Sequence, residues 1–363
     1  MNRRGERHQA FPFVLLLSLA ALLAAPCWAS SPSPQLPSLM TPKSQDAIDK
    51  GLAYLARMQQ PDGSLNANWN GSNYPATMTS LAAMAFMAGG STPEEGPYAD
   101  NIRKAMVFLL ELAEQRPDGL IAGRDEKRCT YGHAFAMQFL AHCYGMTRNV
   151  EYEGRIRNAL DKAVALVARG QSPKGGWLYS PVGGGDEGST TGCVLTGLRA
   201  CRNVGIKVPR QTIDNAVGYL RLMQNPDGGI AYSAAFRGAS RPALAAQALA
   251  CFYMAGVHDR ALGGQSPETV MVDKLWRYIK ALGADDSGIK GFWFYHNYFL
   301  SQAMYHRGGT DWETHYKAVS KTLLETQANN GSWSGDDVGP TYATAIGCII
   351  LQLPYGYLPI CER

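Results

Sequence analysis

The chain has 363 residues, 46% of them hydrophobic and 18% charged, and its formal net charge is +4 at pH 7. This length is enough for one large domain with a sizeable core. A charge this close to balance argues against nucleic acid or a strongly acidic molecule as the partner.

The first 29 residues have the pattern of a secretory signal peptide. Arg3, Arg4 and Arg7 precede an apolar run over residues 11–25, and the small Ala29 suits cleavage. We therefore predict export to the periplasm or the extracellular space. Removing this segment takes away three arginines and one glutamate, which lowers the formal charge to about +2.

The segment after the signal peptide is rich in Ser and Pro. This composition buries too little apolar surface to fold, so residues 30–43 are predicted to be a disordered leader. The remaining residues, 44–363, are predicted to form a single domain.

Turns of related sequence recur along that domain, each running from a glutamine to a glycine three or four residues later. They begin at Gln60, Gln115, Gln171, Gln224 and Gln327, at intervals of 55, 56, 53 and 103 residues. The last interval is almost two periods, and a degenerate copy at residues 283–288 lies inside it. A fixed period of this size indicates repeats that bury their apolar faces against one another, here six units.

Each unit has two halves. Before each turn, apolar residues recur at steps of three and four, as at Ile48, Leu52 and Leu55, which indicates an amphipathic helix. After the turns come segments without Asp, Glu, Lys or Arg, at residues 74–90, 131–147, 188–198, 242–257, 291–306 and 339–360. A helix that is apolar all round must be buried all round. We therefore predict an all-α fold of six helical hairpins curled into a ring, with the charge-free helices inside.

The repeat also resembles a known family. The pattern of Gln, a short spacer, Gly and then Trp, clearest at residues 171–177 and 327–333, is similar to the repeat of the squalene cyclase and protein prenyltransferase superfamily. The likeness covers residues 45–359 and implies an (α/α)6 toroid. Details such as residues 175–181 and 342–345 resemble exported single-domain proteins with the prenyltransferase/squalene oxidase repeat, whose activity is generally unassigned.

The catalytic signatures of that superfamily are missing. A protonating cyclase needs an Asp-x-Asp-Asp acid, but Gly283 stands where the first Asp should precede the pair at 285–286, and Ser334 where it should precede Asp336 and Asp337. A prenyltransferase needs zinc on an Asp-x-Cys pair, and no such pair occurs. The Gly-Cys-Gly-Glu-Gln thioester motif is also absent. We therefore predict no metal and no cofactor.

Seven cysteines follow the signal peptide, and none belongs to a C-x-x-C pair. Most lie in the charge-free segments, where Cys commonly behaves as a small apolar residue. An odd number of cysteines in an exported chain leaves at least one thiol unpaired. One disulfide that involves Cys361 stays open, since the sequence does not identify its partner.

Polar groups cluster where the charge-free segments begin, which in a ring of hairpins is one rim of the central cavity. The catalytic candidates are His133, Asp186, Glu187, Asp336 and Asp337. The ligand-binding candidates are Tyr74, Tyr131, Arg241, Trp293, Tyr295, His296 and Tyr342. Thr77 belongs to the same rim cluster. Convergent polar groups around an apolar cavity are the usual mark of a ligand site.

Each candidate also has a structural interpretation. Asp186 and Glu187 suit the start of a helix, where carboxylates complement the helix dipole. His133 fits a hydrogen-bonded core residue, Asp336 and Asp337 fit a Gly-rich turn, and the aromatic residues from Trp293 onward fit plain core. Arg241 suits a helix start, and a lone cation at a cavity mouth also holds anionic ligands.

Two functions of different class therefore stay open. The first is an exported binding protein whose cavity takes a lipid, an isoprenoid or an extended polymer without turning it over. The second is an enzyme, either a terpenoid cyclase with a non-standard acid or a polysaccharide lyase or hydrolase that uses two carboxylates. The sequence indicates no protein partner, and we expect a monomer.

Overall fold

The computed structural model describes residues 36–266, 268–283 and 291–358. The predicted signal peptide, the degenerate turn from residue 284 onward and Cys361 lie outside the described residues. The first helix begins at Pro42, inside the segment predicted to be a disordered leader. A capping box explains this start: Thr41 Oγ1 accepts from Ser44 N at 3.1 Å, and Thr41 N donates to Ser44 Oγ at 2.8 Å.

The described residues contain twelve α-helices. They are α1 (Pro42–Met58), α2 (Pro75–Ala88), α3 (Ala99–Glu114), α4 (Cys129–Tyr144), α5 (Val150–Gly170), α6 (Gly188–Asn203), α7 (Arg210–Met223), α8 (Pro242–Met254), α9 (Thr269–Ala281), α10 (Trp293–Arg307), α11 (Gly309–Thr326) and α12 (Pro340–Gln352). A two-residue hairpin of β1 (Asn68–Trp69) and β2 (Ser72–Asn73) precedes α2. Two short 3-10 helices, Arg260–Leu262 and Leu353–Tyr355, complete the secondary structure.

The helices alternate between two kinds of burial. The even-numbered helices are buried on nearly every side; in α2 every residue after Pro75 is buried. The odd-numbered helices bury one stripe, which in α1 includes Ile48, Leu52 and Leu55. The alternation follows the predicted charge pattern, although α6 continues beyond its charge-free part to Asn203.

The even-numbered helices close into a ring. Each packs against the next along the chain, and α12 packs against α2. The odd-numbered helices lie outside them, and α1 packs against α12, so that the first described helix joins the last hairpin. The predicted all-α, (α/α)6 toroid of six helical hairpins is confirmed.

The repeated glutamines join each turn to the next outer helix. Gln171 Nε2 donates to Gly175 O within its turn and to Thr212 O of α7, at 2.8 and 2.9 Å. Gln224 and Gln327 make the same pair of bonds. In the first unit the residue that does so is Gln59, which corrects the assignment to Gln60. Gln115 differs, because its backbone stays in the right-handed helical conformation.

The turn glycines explain why the motif ends as it does. The five glycines, Gly63, Gly119, Gly175, Gly228 and Gly331, have φ between 89° and 96°. A Cβ on any of them would lie 2.2–2.5 Å from a backbone oxygen of the next odd-numbered helix. Only glycine fits both this conformation and this close approach.

Within the described part of the chain, no helix combines the length and apolarity needed to cross a bilayer. Six cysteines lie in this part of the chain, and all six are free thiols. Four of them are fully buried, as expected for cysteines that act as small apolar residues.

Candidate functional site

A cavity of about 630 Å³ opens at the end of the ring where the even-numbered helices begin. Aromatic and aliphatic side chains dominate its wall. The lining residues are Trp69, Tyr74, Thr77, Met78, Arg128, Tyr131, Phe135, Tyr179, Ser189, Tyr232, Ser240, Arg241, Pro242, Ala243, Leu244, Gly291, Phe292, Tyr295, Val338 and Tyr342. Among these described residues there is no Asp and no Glu.

Six of the rim residues proposed from sequence line this cavity: Tyr74, Thr77, Tyr131, Arg241, Tyr295 and Tyr342. They come from α2, α4, α8, α10 and α12 or the residues that precede these helices. Burial raises the pKa of the Tyr131, Tyr295 and Tyr342 hydroxyls well above 10. These phenols therefore stay neutral and are hydrogen-bond donors and acceptors at physiological pH.

The structure places His133 in the core behind the cavity. Its Nδ1 accepts from Ile121 N at 3.1 Å, and burial lowers its pKa to about 4. Thr79, Thr191 and Thr344 accept the corresponding backbone N–H in other units. His133 thus fills a structural position of the repeat.

Two other candidates on α10 also lie outside the lining. His296 is fully buried, and burial lowers its pKa to about 4. Trp293 packs edge-on against Phe294, with the ring centroids 5.0 Å apart. Of the candidates on α10, Tyr295 is the one that lines the cavity, together with the N-cap residue Phe292.

Asp186 and Asp337 lie away from the cavity. Asp186 accepts a hydrogen bond from Ser172 Oγ at 3.4 Å. Asp337 is exposed, in the turn before α12, with a φ of 57°. Neither side chain is among the lining residues.

Glu187 lies behind the wall and caps α6. Its carboxylate accepts from Ser189 N at 2.9 Å, from Thr190 N at 2.6 Å and from Ser189 Oγ at 2.7 Å. Ser189 Oγ also lies 2.5 Å from Tyr131 Oη, so a chain of hydrogen bonds connects the buried carboxyl to the cavity. Burial raises the pKa of Glu187, since the hydrogen bonds only partly offset the lost hydration.

Asp336 has the same relation to α10. It accepts from Phe294 N at 3.2 Å and Tyr295 N at 3.0 Å, which caps the helix from the neighbouring loop. Tyr342 Oη, in the cavity wall, donates to it at 3.3 Å. Burial raises the pKa of Asp336.

A third carboxyl behind the wall, that of Glu126, was not predicted. It lies in the loop before α4 and accepts from Thr77 N and Thr77 Oγ1, both at 3.4 Å, at the start of α2. It is 6% exposed, and burial raises its pKa to about 7. Three cavity hydroxyls, on Thr77, Ser189 and Tyr342, are thus each hydrogen-bonded to a carboxyl behind the wall.

Two arginines lie at the mouth, each over aromatic rings. Arg128 lies 4.3 Å from the Trp69 ring centroid and 4.4 Å from that of Tyr179. Arg241 lies 4.4 Å from the Tyr232 centroid. The Tyr179 and Tyr232 hydroxyls are hydrogen-bonded to each other, so the two arginine–tyrosine stacks are joined.

Sequence reasoning identified Arg241 but missed Arg128, Tyr179 and Tyr232. Arg128 has the same signal as Arg241, a cation directly before a charge-free helix. The two tyrosines each lie eight residues after a repeated glutamine, Gln171 or Gln224. Comparing the units position by position would have found them.

Chemically, the site joins an apolar pocket to a cationic mouth. Neutral phenols and Ser and Thr hydroxyls face the pocket, and the described carboxyls reach it only through those hydroxyls. Within the described residues no group of three or more His, Cys, Asp or Glu side chains is placed to hold a metal ion.

Terpene cyclases are found among known proteins of similar sequence. No protein-family model matches the chain. Drimenyl diphosphate synthase of Streptomyces showdoensis is 27% identical over 187 residues, which are 52% of this chain and 32% of that protein. Lanosterol synthase erg7A of Aspergillus fumigatus is 30% identical over 143 residues, which are 38% of this chain and 18% of that protein. The matched parts thus span about a third or less of these curated relatives.

Solved structures share the fold at low identity. The type II terpene cyclase MstE from Scytonema is 15% identical with a TM-score of 0.53, covering 85% of this chain and 98% of that one. The α-1,6-mannanase GH76A of Salegentibacter sp. HEL1_6 is 9% identical with a TM-score of 0.61, covering 88% and 100%. An MstE variant was solved with its substrate, geranylgeranyl dihydroxybenzoate. The resemblance to the squalene cyclase-like superfamily is confirmed.

Proposed function

We propose that this chain, a toroid of the squalene cyclase-like fold, is an exported monomer that binds an isoprenoid or a similar lipid in its central cavity. One observation carries the proposal: the cavity wall is mainly aromatic and aliphatic, and among the described residues no carboxyl group lines it. The proposal of export depends on the charged and apolar pattern of residues 1–29.

The size and chemistry of the pocket support a lipid ligand. A volume of about 630 Å³ lies in the range of pockets that enclose most of a small molecule. Phe135, Met78 and Leu244 supply apolar contacts, and the neutral phenols supply a few hydrogen bonds. The names of the terpene cyclase relatives, and the geranylgeranyl substrate bound to MstE, agree with an isoprenoid.

A terpenoid cyclase with a non-standard acid is the second candidate. The three carboxyls behind cavity hydroxyls favour it, because hydroxyls can pass a proton from Glu126, Glu187 or Asp336 into the pocket. Burial raises the pKa of all three, however, which makes them weaker acids than protonation of an alkene demands. Binding without turnover is therefore the better-supported function.

Polysaccharide hydrolysis has less support. It requires two carboxyl groups on either side of the substrate. The described residues that line the cavity include no Asp and no Glu, so they supply neither of these two carboxyl groups. The likeness to the mannanase is a likeness of fold.

Direct binding tests the proposal. Calorimetric titration of the protein with farnesol and geranylgeraniol should give saturable binding. Phe135→Ala, which removes part of the wall, should weaken it about tenfold, equivalent to about 1.4 kcal/mol. Phe236→Ala is the control, because Phe236 is 77% exposed and does not line the cavity.

The outcomes separate the candidates. Absence of binding to either alcohol, together with no lipid detected by mass spectrometry in the purified protein, would refute the proposal. Conversion of an isoprenoid to a new product, lost in Glu126→Gln, Glu187→Gln or Asp336→Asn, would favour the cyclase.

A further inference from the structure

A second cavity, of about 360 Å³, lies between α6, α7 and α8. Its wall is formed by the second half of α6, the middle of α7 and the last turns of α8, and includes Arg199, Arg202, Val217 and Phe252. Because α6 and α8 begin at the mouth of the central cavity, this second cavity lies at the opposite end of the ring. It shares no described lining residue with the central cavity, and we call it the α6–α8 pocket.

The packing of α6 explains why the pocket opens where it does. Near their starts α6 and α8 are close, since Gln247 Nε2 donates to Ser189 O at 3.0 Å and a Cβ on Gly192 would lie 2.2 Å from Gln247 Cδ. Further along, α6 packs against α4 instead, since a Cβ on Gly197 would lie 2.9 Å from Ala134 O. The second half of α6 therefore follows α4, and the pocket occupies the space left between α6 and α8.

The sequence departs from the repeat at the same place. In four units a side chain of the even-numbered helix accepts a hydrogen bond from the turn backbone, at Thr79, His133, Thr191 and Thr344. Eight residues further along, three of these helices have buried, uncharged residues: Met87, Ala141 and Gln352. In α6 this position is Arg199, which is half-buried. The charge-free segment thus stops at residue 198, although α6 continues to Asn203.

The pocket combines this positive charge with an apolar wall. Leu220 and Phe252 are buried in the wall. Burial raises the pKa of the Cys251 thiol to about 12, and the nearby charge of Arg199 partly offsets that rise, which places the guanidinium beside this wall residue. Arg202, three residues further along the same face of α6, is exposed. Among the described lining residues there is no Asp and no Glu, so the pocket is electropositive.

We propose that the α6–α8 pocket binds a small aliphatic monocarboxylate as a second ligand, separate from that of the central cavity. A guanidinium makes paired hydrogen bonds to a carboxylate, and the apolar wall takes the aliphatic chain. A single negative charge suits a partly buried cation, because a doubly charged phosphate ester would lose more hydration on entry. This inference does not depend on lipid binding in the central cavity.

The volume of the pocket limits the length of the chain. About 360 Å³ holds about a dozen groups of the size of a water molecule, at about 30 Å³ each. A methylene group is of similar size, so a carboxylate with a chain of about ten carbons fills the pocket. Decanoate is therefore the probe, and 1-decanol and acetate separate the contribution of its chain from that of its head group.

Calorimetric titration tests the proposal. The wild-type protein should bind decanoate at least about tenfold more tightly than 1-decanol or acetate. Arg199→Gln should weaken decanoate binding about tenfold, and Arg202→Gln, which removes an exposed charge, about threefold. Val217→Trp fills the pocket, leaves both arginines in place and should abolish binding. Lys207→Gln is the control, because it removes an exposed charge just after α6 that does not line the pocket.

Two further variants distinguish the two cavities. Phe135 lines the central cavity alone, so Phe135→Ala should leave decanoate binding unchanged. Arg199→Gln and Val217→Trp should in turn leave farnesol binding unchanged. Circular dichroism of each variant shows whether it is folded before its affinities are compared.

Four results would overturn the inference. Absence of decanoate binding would do so and would leave the central cavity to be decided by farnesol. Decanoate binding that is weakened by Phe135→Ala and not by Arg199→Gln or Val217→Trp would assign this ligand to the central cavity. An affinity for 1-decanol equal to that for decanoate, or an equal loss in Lys207→Gln, would mean that the two arginines do not recognise the carboxylate. Tighter binding of decyl phosphate than of decanoate would assign the pocket to phosphate esters.

Discussion

Two regions of the molecule place an arginine over an aromatic ring in opposite electrostatic surroundings. Arg307, at the end of α10, lies 3.8 Å from the Trp276 ring centroid, donates to Asp311 Oδ2 at 2.6 Å and forms an ion pair with Asp259. Arg128 and Arg241, at helix starts on the cavity rim, stack in the same way without a carboxylate among the described residues. The comparison separates an arginine neutralised by carboxylates from arginines that no described carboxylate neutralises.

The helix dipole adds to the electrostatic difference between Arg307 and the two mouth arginines. A cation near a helix C-terminus, such as Arg307, is stabilised by the dipole, whereas a cation at an N-terminus is not. The side chains of Arg307 and Asp259 are 7% and 2% exposed, so this pair is shielded from water. Removing one partner from each region should therefore have very different consequences for folding.

The largest effect is expected from Arg307→Met. Loss of the guanidinium leaves the buried Asp259 carboxylate without its partner, which should lower the free energy of unfolding by about 3–5 kcal/mol. Urea denaturation followed by circular dichroism measures it. Lys317→Met, which removes an exposed pair with Glu313, is the control and should change stability by less than about 1 kcal/mol. A change of similar size in both variants would mean that the buried Arg307–Asp259 pair contributes no more to stability than an exposed pair.

A pH-dependent effect of intermediate size is expected from Glu126. Its pKa is about 7 in the folded protein, against an ordinary value of 4.5, because it is buried beside Thr77 and not paired with Arg128. Between these pH values the folded state binds more protons than the unfolded state, so stability falls as pH rises. From pH 4 to pH 8 the wild type should lose about 3 kcal/mol more than Glu126→Gln.

Denaturant titrations of the two proteins at several pH values measure that difference. The buried histidines, whose pKa values are lowered to about 4 by burial, titrate alike in both proteins and cancel. Parallel pH profiles for the wild type and Glu126→Gln would mean that the pKa of Glu126 is the same in the folded and unfolded states. A wild type that gains stability relative to Glu126→Gln as pH rises would mean that Glu126 is ionised and paired, which would make the rim resemble the Arg307 cluster.

The smallest effect is expected from the mouth arginines themselves. Arg128→Gln and Arg241→Gln each lose a cation–π contact and also lose an unfavourable interaction with a helix dipole. These contributions have opposite sign, so the free energy of unfolding should change by less than about 1 kcal/mol. Thermal denaturation without ligand measures it. A loss of several kcal/mol in either variant would show that these arginines hold the fold together.

The fold was predictable because the turns and charge-free segments that determine it recur along the sequence at a nearly fixed period. Charge-free segments have to be buried. Turns that end in glycine recur because each turn packs closely against the backbone of an outer helix, as Gly331 packs against Lys50 O. The repeat pattern did not show whether Gln59 or Gln60 bonds to the turn, since both precede it and only the backbone geometry distinguishes them.

The site was predictable only in part. Six wall residues follow from their position at the start of charge-free segments. Glu126 was missed because it lies among other charged residues at 124–128, where a carboxylate looks like solvated surface. His133 resembled a functional group because its hydrogen bond to Ile121 N has no sequence signal. Partners contributed by other loops depend on tertiary packing, as where Asp336, in the loop before α12, caps α10.

The glutamine that joins the last turn to the first helix has a consequence for the order of folding. Gln327 Nε2 donates to Ala47 O at 2.8 Å, across 280 residues of sequence. Contacts between neighbouring hairpins form over short chain separations, whereas this one requires the two ends of the series to meet. We therefore expect the central cavity to be completed last, so a nascent chain that still lacks its final hairpin should expose the apolar surfaces of its even-numbered helices.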